Sequence, residues 1–276
     1  MSSEIEAALL DASIRRDGFL SLHLSRAIAL SRSEHKEWFD LAEGLNRLSM
    51  RLLWSLKPRN RINREVLVAI LFGRCLSAYQ GAFILAERGM ILEGRYVVRA
   101  MLEATFALTA IVRRKNFSQR YIDDDNHRTL QLIDACFRMP RTHKKFNNID
   151  SMDLRRRKRE IKKIIKSTNS KALKIWEAAK AAGMSYHYNT AYRLLSNTAH
   201  SSARDLDYHI LPKSETEIQK LLWGPQVAKS ADVLMHACDF LFISAHCVRR
   251  VFKRPELENQ FAALHRRFQK LLEPLV

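Results

Sequence analysis

Eight glycines and six prolines in 276 residues are too few for the many tight turns of a sandwich or barrel. The apolar residues recur at three and four rather than at two, so the chain reads as all-α. Cysteine is sparse as well. Cys75, Cys136, Cys238 and Cys247 form no C-x-x-C pair and lie inside apolar helical patterns, which argues against disulfides and a structural zinc. The opening "MSSEIEAALLDAS" lacks a basic stretch followed by an apolar one, so no secretory signal is expected and the protein is placed in the cytoplasm. Clean apolar runs of membrane length are missing too. The nearest, around 96 to 112 and 231 to 248, contain or adjoin Arg99, Glu103, Asp232, His236 and Asp239, which are expensive in lipid, so they read as buried bundle helices and no membrane partner is expected.

Familiar catalytic patterns are also absent. The chain has no phosphate-cradling glycine loop, no H-E-x-x-H and no G-x-S-x-G elbow. The three adjacent carboxylates of "DDDNH" at 123 to 127 point in different directions on a helix and read as an exposed face. His236 and His246, ten apart, are too distant for one metal and read as core or interface histidines. Neither a metal nor a cofactor is expected.

Acid is scarce relative to base. With 29 Asp and Glu against 47 Lys and Arg, the formal charge of +18 favours acidic partners, nucleic acid first. The surplus is scattered along the chain, however, and solvated helix faces would carry it equally well.

Along the chain, helices are expected at 3 to 31 with a break at Gly18, and at 34 to 56, stopped by Pro58. Residues 1–60 read as an N-terminal helical extension and 61–276 as one helical bundle domain, about seven to nine helices in all. Asn63 is a candidate N-cap for a helix to Arg88, with Gly89 as its C-cap before a helix over 91 to 114. Another helix covers 117 to 138, then the linker "PRTHKKFNNIDS". A charged helix starts near Met152, Gly183 separates it from one at 186 to 202, "PKSETE" marks a loop, and two helices at 225 to 252 and 255 to 273 close the chain.

Two helices carry polar stripes on otherwise apolar surfaces. Arg95, Arg99 and Glu103 fall at i, i+4 and i+8, and an Arg99–Glu103 pair satisfies part of the cost of burying charge. Tyr188, Tyr192, Ser196 and His200 repeat the spacing, with Asn189, Arg193 and Asn197 on the adjoining face. The stripes are expected to share one site. Glu103 or Tyr192 would orient His200, and Arg99 or Arg193 would hold an anion beside it, the equipment of acid–base chemistry on a phosphodiester. The alternative is a buried polar network that fixes helix register. The best local phosphate-binding candidate is "RRRKREIKKIIK", with Arg155, Arg156, Arg157, Lys158, Arg159, Lys162 and Lys163 around a thin seam of Leu154, Ile161, Ile164 and Ile165.

The segments "GRYVVRAMLEATFALTAIV", "FSQRYIDDD" and "YRLLSNTAHSS" resemble the bacterial helical family catalogued as domain of unknown function 5677, over roughly residues 63 to 250. That resemblance marks Arg99, Glu103, Tyr192, Ser196 and His200, although Ser201 stands where the family pattern has a proline. A weaker resemblance is to the HEPN superfamily of helical, metal-independent ribonucleases of toxin and anti-phage systems, whose signature is Arg, four to six residues, then His. Arg193 with His200 fits it, and so does Arg204 with His209, with polar Asp205 after the arginine. Leu194, which follows Arg193, departs from it, and the same spacing recurs at Arg16/His23, Arg120/His127 and Arg138/His143.

The resemblance implies a homodimeric protein that binds RNA rather than DNA and cleaves it without a metal. His200 would act on the ribose 2′-hydroxyl, Arg193 and Arg99 would stabilise the phosphate, and Glu103 or Tyr192 would set the imidazole tautomer. The competing expectation is a non-catalytic nucleic-acid-binding or regulatory protein of a defence or toxin–antitoxin operon, with an operon-encoded protein partner.

Overall fold

The computed structural model describes residues 12–138, 151–199, 209–214 and 217–273. Among them are eleven α-helices and one short hairpin. The helices are α1 (Ala12–Asp17), α2 (Ser25–Glu34), α3 (Lys36–Ser55), α4 (Asn63–Glu87), α5 (Ile91–Arg113), α6 (Phe117–Arg138), α7 (Ser151–Thr168), α8 (Ile175–Ala182), α9 (Arg193–Ala199), α10 (Ser230–Phe252) and α11 (Glu258–Leu272). The chain is all-α, with slightly more helices than the periodicity suggested.

Central to the bundle is α5, because its middle is apolar or small on every side. Residues 104 to 111, "ATFALTAI", are all buried, and the alanines let α4, α8, α9 and α10 approach it. The two threonines in that run need partners. Thr105 bonds the Met101 carbonyl at 2.9 Å and the Ser244 hydroxyl at 3.1 Å, and Thr109 receives the Cys247 thiol at 3.7 Å. Cys75, Cys238 and Cys247 are buried and free, and burial pushes the Cys238 thiol up to about 12.

The turn between α4 and α5 is fixed by Gly89, whose φ of +70° is left-handed. The last turn of α4 is completed from elsewhere in the chain. Ser230 donates to the Ala86 carbonyl at 2.8 Å and meets Ser31 at 2.9 Å, while Gln226 N–H donates to the Gly89 carbonyl at 3.0 Å. Asn63 is the first residue of α4 rather than its cap; Ile62 takes the cap position with no side-chain bond.

The break expected at Gly18 is present, with 3₁₀ turns at Gly18–Leu20 and Leu22–Leu24 before α2 resumes. Within the stretch read as an N-terminal extension, α3 buries Phe39, Leu41, Leu45 and Leu52 in the same core as α4, α5 and α10. The loop expected around "PKSETE" is the connection of a hairpin, with β1 (Ile210–Pro212) antiparallel to β2 (Ile218–Leu221). Nothing in its pattern announces this, since all four residues of β2 are exposed and no apolar alternation exists to read.

By length and composition two helices, Asn63–Glu87 and Val227–Phe252, would reach across a membrane. In this fold α4 and α10 pack against each other and supply much of the shared core.

Candidate functional site

The two polar stripes do meet. From α5, Arg99 Nη2 donates to the Tyr192 hydroxyl at 3.0 Å and pairs with Glu103 Oε1 at 3.1 Å. The Tyr192 hydroxyl in turn donates to Glu103 Oε1 at 3.1 Å, and the Arg99 guanidinium lies 5.1 Å over the Tyr192 ring. Burial raises the Tyr192 phenol above its ordinary value and the Glu103 carboxylate adds to this, with Arg99 opposing. The phenol therefore stays a donor at neutral pH.

Local backbone geometry explains how the second stripe is presented. One turn at Ser185–His187 leads into a π-helical turn at Tyr188–Tyr192, and only then does α9 begin. The wider turn changes the register expected from a spacing of four, yet Tyr188 and Tyr192 still stack at 5.1 Å and 15°. Asn189, Arg193 and Asn197 face solvent, and Ser196 is half-buried. His200, Ser201, Arg204 and Asp205 lie outside the described residues, as does the linker at 140–150. Arg99, Glu103 and Tyr192 are thus brought together, whereas Arg193 stands on the outer face. Glu103 already accepts from two donors, which makes it a better anchor for Tyr192 than a free base.

The carboxylates at 123 to 125 depart from the exposed face expected of them. Asp125 is exposed, but Asp124 is only 4% exposed, and its two oxygens accept from Leu173 N–H and Arg128 Nε, each at 2.6 Å. The Leu173 bond ties α6 to the strap leading into α8, while Arg128 holds the carboxylate from one turn along α6 itself. Asp124, Arg128, Tyr121, Arg74 and Glu103 line a polar hollow of about 300 Å³ beside the Arg99–Tyr192 network.

Of the basic residues on α7, Lys158 is used structurally: it pairs with Asp134 of α6 and its ammonium lies 5.5 Å over the Phe137 ring. Arg156 pairs with Asp153 at 2.9 Å and Arg157 with Glu160 at 3.6 Å, all at the surface. Arg155, Arg159, Lys162 and Lys163 are exposed, and so is Lys166, the last residue of the same motif. Arg155, Arg159, Lys162 and Lys166 recur at i, i+4, i+7 and i+11, one stripe roughly 16 Å long. On the inner side Ile161 is fully buried, and Leu154 and Ile165 are half-buried.

His187 and Asp239, neither of them a candidate from the sequence, approach with Nε2 and Oδ2 3.7 Å apart. They are 52 residues apart in the chain, so no spacing links them. Among the described residues no group of three or more His, Cys, Asp or Glu side chains is placed to hold a metal ion. His236 is held in the core, stacked 6.0 Å from Phe240, and His246 lies on the rim of a second cavity. Burial lowers the pKa of both rings below the ordinary histidine value; at His236 the nearby Asp239 opposes this, and at His246 Arg249 and Arg250 add to it. Below about pH 6.5 the unfolded chain therefore takes up protons that the folded one refuses, so stability present at pH 7 is lost as pH falls. The melting temperature is expected to be lower at pH 5.5 than at pH 7 by calorimetry; an unchanged or higher value would contradict these environments.

The fold and site define a helical bundle protein with a half-buried Arg–Glu–Tyr network and one outlying cationic helix. The chain belongs to the family of unknown function DUF5677, whose family model matches residues 65–218. The match spans α4 to the start of β2 and so includes the network, α7 and α9. No curated protein and no solved structure matches the chain significantly.

Proposed function

We propose that this is a cytoplasmic protein that binds RNA through the cationic stripe of α7. The observation that carries the reading is the placement of Arg155, Arg159, Lys162 and Lys166 on one exposed helix face without an ion pair to any described carboxylate, beyond the two surface pairs that Arg156 and Arg157 make. Exposed cations aligned on one helix face attract a phosphate backbone, and the net charge of +18 steers any polyanion toward it. In this reading Arg99, Glu103 and Tyr192 form a network that fixes the register of α9 on α5.

A second reading is metal-independent cleavage in the manner of the HEPN superfamily, with two chains pairing so that their His200 segments meet. It draws support from the π-helical turn and the half-buried charged network just before His200, since such turns are frequent at functional sites.

One experiment separates the two. Binding of a 30-nucleotide single-stranded RNA by the full chain is followed by anisotropy over a salt series, and a denaturing gel in EDTA tests the same RNA for cleavage. With four phosphate contacts the slope of log affinity against log salt should be about −3, and alanine at Arg155, Arg159, Lys162 and Lys166 together should remove most of that slope and weaken binding about 100-fold. Salt-insensitive or absent binding overturns the RNA reading. Cleavage by the wild type and not by His200→Ala establishes the second reading, and intact RNA with both ends it.

A further inference from the structure

A second cavity, away from the α7 stripe, lies where the C-terminal end of α5 meets α10 and α11. Its volume is about 500 Å³, within the range of small-molecule sites. Met184, Phe242 and Phe261 make its apolar walls. Its polar groups come from elements far apart in sequence: Arg113 from the last turn of α5, His187 from the turn after α8, His246 from α10 and His265 from α11.

The charges there are not balanced in the same way. Of the two carboxylates, Glu258 pairs with the buried Arg249, whose guanidinium also lies 4.8 Å over the Phe261 ring. Asp239 stands 3.7 Å from His187. Arg113 makes no ion pair with any described residue; it is held against Gly183, which ends α8 at a φ of +68°, and a Cβ at that position would overlap its guanidinium. The Nδ1 atom of His187 is buried and has no hydrogen-bond partner among the described residues. A ring nitrogen left without a partner is costly, and a ligand oxygen would satisfy it once the half-buried ring turns Nδ1 into the cavity.

We infer that this cavity binds a small organic anion, its apolar body against Phe242 and Phe261 and its carboxylate or phosphate group on Arg113 and His187. Gly183 serves as the notch that sets the guanidinium. The site is independent of RNA binding on α7.

The test is calorimetric titration of the full chain with phenyl phosphate, benzoate and inorganic phosphate. At least one aromatic anion should bind about tenfold more tightly than inorganic phosphate, and the better of the two identifies the head group. Arg113→Met should weaken it about tenfold, the loss of one charge-assisted contact, while the melting temperature and RNA affinity stay as in the wild type. No binding by either aromatic anion, equal binding by inorganic phosphate, or unchanged affinity in Arg113→Met overturns the inference.

Discussion

Alanine at Gly89 is expected to cost about 4 kcal/mol, near the upper end of single substitutions, and so to lower the melting temperature by roughly 8 °C at about 2 °C per kcal/mol for a chain of this size. Two effects add. The residue has a φ of +70°, where a side chain costs on the order of 1 kcal/mol. In addition, a Cβ there would stand 2.6 Å from the Gln226 nitrogen and 3.0 Å from Pro225. Both neighbours are backbone, so relief requires the strap before α10 to move, and that strap donates Gln226 N–H to the Gly89 carbonyl. Gly18 supplies the control. Its φ of +57° carries the same conformational cost, but a Cβ would meet nothing within 4 Å. Gly18→Ala should therefore lose only about 1 kcal/mol, and equal losses at the two glycines would show that the strap is not packed as described.

How much of this was legible beforehand depends on the distance over which each contact forms. Helix boundaries from α3 to α6 followed from Pro58, Gly89 and the three-and-four recurrence of apolar residues, all local signals. The Arg99–Glu103 pair was legible for the same reason, being four residues apart on one helix. That Tyr192 would join it, with Arg193 on the adjoining face, could be expected because two stripes of like spacing had to be buried somewhere, but the π-helical turn that presents the second stripe is signalled by no residue pattern. His187 with Asp239, and Arg113 with Gly183, are products of tertiary packing alone. The hairpin is the clearest failure, because exposed Ile218 and Leu221 offer neither alternation nor a core face.

The acidic run at 123 to 125 shows the same limit within three residues, and alanine scanning should resolve it. Asp124→Ala is expected to cost about 3 kcal/mol, because it deletes two short charge-assisted hydrogen bonds and leaves the Leu173 N–H without its acceptor. Asp124→Asn keeps an oxygen for Leu173 and loses only the charge facing Arg128, whose side chain is 64% exposed, so its cost should be about 1 kcal/mol. Asp125→Ala should fall within about 0.5 kcal/mol of the wild type, as expected of an exposed residue. Urea unfolding of the three variants gives the ordering directly. Because Asp124 fastens the strap ahead of α8, whose Ala178, Ala179 and Ala182 pack in the core beside α5, the alanine variant should also admit a protease between residues 170 and 175 before the rest of the bundle opens. Cutting there at the wild-type rate would show that α6 and α8 are held together by the Arg120–Glu177 ion pair at 2.7 Å and the apolar contacts of Leu173 and Ile175, with Asp124 contributing little.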